Sequence, residues 1–329
     1  MPAPLRAGHV LRDRYKISRI IGQGGAGSVY LADDLRLEGR SCAIKEVQHD
    51  LGLPENLLNQ AKEQFQREAV VLARLDHPNL PKVSDFFSEQ GRDYLVMDFI
   101  PGKDLRTIMM EAKQNHRFLL EREVLSWANQ LADALIYLHC QEPSILHRDI
   151  KPSNVKLMPS GLIKLVDFGL VKLLASDEVT ITILQGRGTA IYTPLEQYGG
   201  DSEHTDIRSD VYAFGATLYH LLTNRPPIEA RDRFLNPGSL PNPREINPII
   251  SPRTERAILS AMNLHPDERP QNVAEFRSAL LGDWNPTTRS ISSLPEPTLV
   301  DLVSLHTERS IALISLIMLF ISLIVTLVQ

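Results

Sequence analysis

Two polar segments that follow apolar runs, ILHRDIKPSNVKL and IKLVDFGLVK, constrain the fold most strongly. The first contains Asp149, Lys151 and Asn154, and the second places Asp167 after a turn that contains glycine. A carboxylate can accept a substrate proton, a lysine can contact a phosphate, and carboxylate and amide oxygens suit Mg²⁺, which prefers oxygen ligands. A single Asp would usually be a turn residue or a helix cap. Two such segments favour a fold that brings both loops to one site.

A candidate phosphate-binding segment lies near the N-terminus, in IGQGGAGSVYLA, where Gly22, Gly24 and Gly27 precede Val29. Glycine lets the backbone approach a phosphate closely and leaves amide hydrogens free to bind it. A dinucleotide-binding domain would need a helix to begin at these glycines. A second strand pattern follows instead, so the motif predicts a glycine-rich hairpin. On this motif alone, a glycine-rich turn without a ligand stays an alternative.

Lys45 lies in the apolar strand pattern CAIKEV, where a lysine is commonly a solvated edge charge. Between residues 54 and 75, apolar residues recur at helical spacing. Glu68 shares their face, because it lies three residues after Phe65 and four before Leu72. A carboxylate that faces inward needs a cation, and Lys45 is the candidate. A lysine held by Glu68 would present a fixed ammonium to nucleotide phosphates.

Strand patterns dominate the first part of residues 15–282 and helical patterns the second. This predicts an α+β fold with a small β-rich lobe and a larger helical lobe. The predicted strands are Tyr15–Ile21, Ser28–Ala32, Ser41–Val47, Val83–Phe87 and Tyr94–Ile100. Helical patterns dominate from Asp104 onward, and include Arg122–His139, Asp210–Leu222 and Pro252–Met262. We expect an N-terminal extension at 1–14, a first lobe at about 15–100 and a second at about 101–282.

Composition excludes several classes of protein. A chain of 329 residues with 43% hydrophobic and 23% charged residues is globular and has room for about two domains. The 35 Lys and Arg against 40 Asp and Glu give a net charge of -5, which argues against a nucleic-acid partner. Cys42 and Cys140 are too few for a disulfide framework or a zinc cluster, so we expect a reducing compartment.

The C-terminal segment 311–328 contains no charge, Gly or Pro, and its 18 residues would form a helix about 27 Å long. This predicts a transmembrane helix, with a buried core helix as the alternative. Residues 283–310 are rich in Ser, Thr and Pro, which predicts a juxtamembrane linker. Arg289 and Arg309 precede the apolar segment, and the N-terminus lacks a signal-peptide core. We therefore expect a single-pass protein of the cell membrane whose residues 1–310 are cytoplasmic.

The ordered motifs GQGGAGSV, AIK, HRDIKPSN, DFG, GTAIYTPLEQ, SDVYAFG and ERP resemble those of the eukaryotic-like (Hanks-type) bacterial serine/threonine protein kinases, over about residues 15–282. The resemblance implies a bilobal protein-kinase-like fold that uses ATP with Mg²⁺ or Mn²⁺ to phosphorylate Ser or Thr of protein substrates in membrane-associated signalling. A pseudokinase scaffold and a small-molecule phosphotransferase are the alternatives. The intact acidic and basic positions argue against the first, and a long activation segment argues against the second.

The resemblance assigns catalysis to Asp149, which would orient the attacking hydroxyl, to Lys151 near the γ-phosphate, and to Lys45 at the α- and β-phosphates. Asp167 and Asn154 would hold the metal ions. The nucleotide-binding residues would be Gly22, Gly24 and Gly27 over the phosphates, Val29 and Ala43 in the roof, Glu68 beside Lys45, Met97 as gatekeeper, Asp98 and Ile100 against the adenine, and Asp104 near the ribose.

The resemblance also implies regulatory and structural residues. Thr180 and Thr182 would be phosphorylated, by a second copy of the chain acting in trans, and would then face Arg148 and Lys172. Structural roles fall to Thr189, which would support Lys151 and the substrate loop, to the ion pair of Glu196 with Arg269, and to Asp210, which would brace the catalytic loop. The sequence departs from the family pattern at Pro194-Leu195-Glu196 and at Lys156, which stands at the floor of the adenine pocket.

Overall fold

Residues 3–24, 27–47, 54–167, 190–198 and 205–282 are described in the computed structural model of the chain. All of them belong to one unit, Met1–Asp283. The predictions for Lys172, Thr180, Thr182, Thr189, the linker 283–310 and the apolar segment 311–328 lie outside the described residues. Within the described ranges, none of the helices has the length and apolar character that crossing a membrane requires.

Alternation along short apolar runs builds the first lobe around an antiparallel sheet of six strands, in the order β1-β2-β3-β4-β6-β5. The strands are β1 Val10–Leu11, β2 Tyr15–Gly24, β3 Gly27–Asp34, β4 Ser41–Val47, β5 Val83–Glu89 and β6 Arg92–Asp98. Strand β4 is buried on both faces. Ala43 and Val47 belong to the main core, whereas Cys42 and Ile44 belong to a second core on the outer face. Lys45 therefore points to the same face as Ala43, and Glu46 points to the opposite one.

The N-terminal extension covers that outer face. Leu5 packs against the second core, and its N–H donates to the Tyr30 hydroxyl at 3.0 Å. The Tyr30 hydroxyl donates to Glu46 Oε2 at 2.5 Å, and Arg92 Nη1 donates to Glu46 Oε1 at 3.0 Å and to the Ala3 carbonyl at 3.2 Å. The buried Glu46 carboxylate thus connects the strand that carries Lys45 to the extension.

Helix α1, Glu55–Arg74, packs on the inner face of the sheet. It begins after Pro54, whose fixed φ suits a helix start, and it buries Phe65, Glu68 and Leu72 on one stripe. The helix predicted between residues 54 and 75 is confirmed, and so is the inward position of Glu68, which is 3% exposed.

Helices form the second lobe, with a small sheet, β7-β8-β9, on the side of the first lobe. The helices are α2 Leu105–Gln114, α3 Glu121–His139, α4 Ile207–Thr223, α5 Ala230–Leu235, α6 Pro243–Ile246, α7 Pro252–Ala261 and α8 Val273–Leu281, and the strands are β7 Lys103–Asp104, β8 Val155–Leu157 and β9 Ile163–Leu165. Helix α4 is apolar on nearly every side and lies at the centre of this lobe. At Gly215 a Cβ would lie 2.8 Å from Ala261 Cβ, so glycine permits the close contact of α4 with α7.

The connection between the lobes runs through IPGKD and is fixed by one glycine. Gly102 has φ +115°, and a Cβ there would lie 2.2 Å from the Leu157 carbonyl oxygen. A side chain would push the connection away from β8, because both the backbone conformation and the space exclude it. The predicted division into a β-rich and a helical lobe is confirmed. The two-residue strands β1 and β7 and the short helices α5 and α6 were not predicted.

Candidate active site

A completely buried carboxylate, Asp210 on α4, holds the loop that contains Asp149. Its two oxygens accept the backbone N–H of His147 at 2.9 Å and of Arg148 at 2.8 Å. His139 Nε2 lies 2.9 Å from the same carboxylate. The predicted bracing contact between Asp210 and this loop is therefore present.

The Asp210 carboxylate is ionised despite its burial. Burial by itself raises the pKa of Asp210, but the hydrogen bond from His139 and the backbone donors outweigh it, so the pKa lies below its ordinary value. The anchored loop can hold Arg148 at φ +61°, a left-handed conformation that is costly for a residue with a side chain. Asp167, on the facing loop, has the same φ of +61°. Both strained residues flank the site.

Asp149, Lys151 and Asn154 form one hydrogen-bonded group. Asp149 Oδ2 accepts Lys151 Nζ at 2.8 Å and Asn154 Nδ2 at 2.9 Å, and Asn154 Nδ2 also donates to the Asp149 carbonyl at 2.8 Å. Asp149 Oδ1 is buried and has no hydrogen-bond partner among the described residues. A buried carboxylate oxygen without a partner is uncommon in structural roles, and it is the arrangement that a proton acceptor needs.

Lys45 and Asp167 connect the two lobes. Lys45 Nζ forms an ion pair with Asp167 Oδ1, and the lysine side chain is 9% exposed. The charge of Lys45 is the main cause that holds the pKa of Asp167 below its ordinary value. Glu68 accepts Gln64 Nε2 at 2.9 Å and lies close enough to Arg148 to act on it electrostatically. The pairing of Lys45 with Glu68 stays a prediction.

The oxygen donors that remain fit a hard cation. Asn154 turns its Nδ2 toward Asp149, and its Oδ1 accepts a long hydrogen bond of 3.4 Å from the Ser153 hydroxyl, which a cation would readily displace. The ionised Asp167 side chain keeps 40% of its surface exposed and uses Oδ1 for Lys45, so Oδ2 remains available. One carboxylate and one amide oxygen on neighbouring loops suit Mg²⁺ or Mn²⁺, since both ions prefer oxygen ligands.

The predicted roof residues, the lysine and the gatekeeper lie on one side of the first sheet. The glycine-rich hairpin is present as β2 and β3, where Gly24 pairs with Gly27. Across the sheet, Val29 pairs with Lys45, and Ala43 pairs with Met97. This register places the predicted roof, the lysine and the gatekeeper on adjacent strands.

The predicted hinge residues have structural partners. The Asp98 N–H donates to the Lys82 carbonyl at 2.9 Å, and Ile100 is buried. Asp104 caps α2, because its oxygens accept the Thr107 N–H at 2.8 Å and the Thr107 hydroxyl at 3.0 Å. A ribose contact for Asp104 stays a prediction, beside this capping role.

The departure from the family pattern at Lys156 has a local explanation. Lys156 Nζ donates to the Gly102 carbonyl at 3.2 Å, so its ammonium is directed toward the connection between the lobes. The aliphatic stem can then cover apolar surface while the charge stays hydrated.

The predicted ion pair of Glu196 with Arg269 is present and bidentate, with Nη1–Oε1 at 2.6 Å and Nη2–Oε2 at 3.0 Å. Ser209 Oγ also donates to Glu196 Oε1 at 2.8 Å. The remaining guanidinium hydrogens donate to the carbonyl oxygens of Asn263, Arg208 and Leu264. The displaced proline is accommodated, because Pro194 has φ -75° and precedes a 3₁₀ turn, Leu195–Gln197, that carries Glu196.

One contact beside the site was missed from the sequence. Tyr192, three residues after Thr189, lies 2.7 Å through its hydroxyl from His220 Nδ1 on α4. Burial raises the pKa of Tyr192, and Asp149 raises it further, which shows that the tyrosine lies within electrostatic reach of the catalytic loop. No local pattern in GTAIYTPLEQ or VYAFGATLYHLL marks the two residues as partners.

The comparisons with known proteins agree with this geometry. The sequence profile of the protein kinase domain matches residues 15–281. A probable serine/threonine-protein kinase of Streptomyces coelicolor is 33% identical over 287 residues, which are 84% of this chain and 40% of the relative. Serine/threonine-protein kinase PknB of Mycolicibacterium smegmatis is 31% identical over 282 residues, which are 82% of this chain and 43% of the relative. The chain thus spans about two fifths of the length of these curated relatives.

Solved structures with the same fold include the apo form of PpkA-294, which is 31% identical, with a TM-score of 0.68 over 84% of this chain and 99% of that chain. The PknI kinase domain of Mycobacterium tuberculosis is 28% identical, with a TM-score of 0.63 over 84% of this chain and 98% of that chain.

Proposed function

The chain belongs to the protein kinase family, and within it to the Hanks-type bacterial serine/threonine kinases, and from this premise we propose that it transfers the γ-phosphate of ATP to Ser or Thr hydroxyls of proteins. The observation that carries the proposal is the buried, unpartnered Asp149 Oδ1 beside Lys151 and Asn154. This oxygen accepts the proton of the attacking hydroxyl. The hydroxyl oxygen then bonds to the γ-phosphorus, the bond to the β-phosphate oxygen breaks, and ADP leaves.

The other residues supply positioned charge. Lys151 places an ammonium beside the atom that accepts the proton, and Lys45, fixed against Asp167, presents a second ammonium to the nucleotide phosphates. Asp167 and Asn154 would hold Mg²⁺, which would neutralise phosphate charge. Because phosphoryl transfer needs little covalent chemistry from the protein, these fixed charges supply most of the catalysis.

A change at Asp149 tests the proposal. Asp149→Asn keeps the shape and one oxygen to accept from Lys151 and Asn154, but replaces the proton-accepting oxygen by an NH₂ donor. We therefore expect phosphate transfer from Mg-ATP to a Ser- and Thr-containing carrier protein to fall by ~10²–10⁴. Asp133→Asn is the matched control, since Asp133 forms an exposed pair with Arg277 at 2.7 Å. Full turnover by the Asp149 variant would exclude the proposed role of Asp149. Nucleotide binding without phosphate transfer by the unchanged chain would favour a scaffold instead.

Two findings favour catalysis on proteins over the alternatives. The ionised Asp167 and the orientation of Asn154 supply a metal site that a scaffold does not need. The buried pair of Glu196 with Arg269 anchors the segment that follows residues 168–189, and a small-molecule phosphotransferase generally lacks such a segment.

Phosphorylation of the chain by a second copy is part of the proposal. Arg148 is held on the braced loop, so Thr180 or Thr182, once phosphorylated, could be ordered by Arg148 and Lys172 through charge-assisted hydrogen bonds. Mass spectrometry of an Asp149→Asn chain incubated with the active chain should find phosphate on one of these threonines. Absence of phosphate there, together with full activity of the double Ala variant, would contradict this mechanism.

Membrane attachment through residues 311–328 also belongs to the proposal, with residues 1–310 in the cytoplasm. The support is the uncharged apolar sequence of that segment and the arginines before it. We expect the full chain to sediment with membranes until detergent is added, and residues 1–310 to stay in the supernatant. Full chain in the supernatant without detergent would refute the anchor.

A further inference from the structure

Two exposed cations on α2 form a stripe beside Tyr192 and His220. Arg106 and Lys113 are seven residues apart, so they lie on the same side of the helix, two turns and about 10 Å from one another. Met110 lies between them and is 42% exposed. We call Arg106, Met110 and Lys113 the α2 stripe.

The α2 stripe lies beside the C-terminal end of α4. Lys113 Nζ donates to the Asn224 carbonyl at the end of α4, at 3.1 Å, which fixes the stripe against the helix that carries His220. Burial lowers the pKa of His220, and Lys113 and Arg106 lower it further; burial raises the pKa of Tyr192, and Arg106 opposes that rise. The Asn224 N–H donates to the His220 carbonyl at 2.9 Å, so the contact of Lys113 with Asn224 places Lys113 one helical turn from His220.

The acidic residues at the start of α2 and within it, Asp104 and Glu111, have other partners among the described residues. Arg106 forms no ion pair and no hydrogen bond with any residue in the described parts of the chain, and Lys113 has only a backbone carbonyl. Glu111 lies on another side of α2, where it pairs with Lys103 at 2.6 Å. Among the described neighbours, the negative charge that acts on Tyr192 is Asp149. Among the described residues, the exposed side of α2 near Tyr192 therefore carries positive charge.

We propose that the α2 stripe selects protein substrates that carry acidic side chains next to the acceptor Ser or Thr. Asp or Glu carboxylates of the substrate bind Arg106 and Lys113, while Met110 contacts the adjoining apolar surface. Complementary charge at an exposed site raises both the affinity and the rate of encounter, and salt screens it. The inference rests on the proposed kinase function, because the bound segment is the one whose hydroxyl reaches Asp149.

Peptide binding tests the stripe without depending on turnover. Three fluorescent peptides carry one Thr flanked on both sides by two Glu, two Gln or two Lys, and their dissociation constants for the full chain are measured by fluorescence anisotropy at low salt. We expect the Glu peptide to bind about five- to tenfold more tightly than the Gln peptide, since each exposed charge contact contributes a few-fold. Added salt should reduce this ratio.

Variants separate the stripe from net charge. In Arg106→Gln/Lys113→Gln the ratio should fall to about one, and in Arg106→Glu/Lys113→Glu the Lys peptide should bind best. Arg122→Gln/Arg256→Gln has the same change in charge on α3 and α7, at exposed positions, and should keep the preference for Glu. Equal binding of the three peptides to the unchanged protein, or an unchanged ratio in the stripe variants, would overturn the inference. Loss of phosphate transfer to every peptide would contradict the proposed function instead. The binding ratios would still show whether the α2 stripe selects acidic peptides.

Discussion

Replacing Arg269 by Met should destabilise the helical lobe strongly, because it leaves Glu196 as a buried charge. Both side chains lie almost wholly inside the protein, at 0% and 8% exposure. All five guanidinium hydrogens have acceptors: the two Glu196 oxygens and three backbone carbonyls. The guanidinium carbon also lies 5.0 Å from the centre of the Tyr212 ring.

The expected loss follows from these contacts. Removing one partner of a buried ion pair costs about 3–5 kcal/mol, because the other charge loses its compensation. Domains of this size lose roughly 2–4 °C in Tm for each kcal/mol by which the free energy of unfolding falls. Arg269→Met should therefore lower Tm by about 6–20 °C, a large part of a typical stability of about 5–15 kcal/mol.

Thermal unfolding of the unchanged chain and of three variants checks this reasoning. Glu196→Gln/Arg269→Met should recover part of the loss, since it removes the uncompensated charge as well. Arg277→Met breaks an exposed pair with Asp133 and should cost less than about 1 kcal/mol. A loss for Arg269→Met as small as that for Arg277→Met, or no recovery in the double variant, would refute the assigned role of the pair.

Two further predictions concern pH and backbone strain. Burial, with Lys113 and Arg106 nearby, lowers the pKa of His220 from 6.5 to about 4, so between these values the unfolded chain binds a proton that the folded chain does not. The free energy of unfolding should have its full value above pH 6.5 and should fall by roughly 2–3 kcal/mol toward pH 4. In denaturant titrations, the free energy of unfolding of His220→Gln should depend less on pH. Gly102→Ala should lower the free energy of unfolding by at least about 2 kcal/mol more than Gly238→Ala does. Both glycines have positive φ, but only at Gly238 is the space around the Cβ position open. Equal losses of stability in the two glycine variants would show that β8 shifts to accommodate the added methyl group at little cost.

The predictable features of the fold were those encoded locally. Helix α1 was predicted nearly to the residue, because its apolar stripe and Pro54 are both visible in the sequence. Strands of two residues, such as β1, are too short to show a period. Asp104 illustrates a different limit: the motif suggested a ribose contact, and the structure adds a helix cap that uses both of its oxygens.

The site was predictable where a motif places several polar residues together. Asp149, Lys151 and Asn154 are close in sequence, and they share hydrogen bonds in the structure. The contact of Tyr192 with His220 joins residues 28 positions apart, and neither residue has a local pattern that marks it. Packing of the substrate loop on α4 creates that contact, so only the tertiary structure shows it.

The hydrogen bonds around the buried Glu46 carboxylate extend the first lobe to residues before position 15. The match to the kinase profile begins at residue 15, yet Ala3 and Leu5 reach Glu46 through Arg92 and Tyr30. A fragment cut at residue 15 would lose β1 and the cover over a carboxylate that directly follows Lys45 in the chain. The folded catalytic unit therefore includes residues that the family profile does not match, and fragments for activity measurements should begin before residue 3.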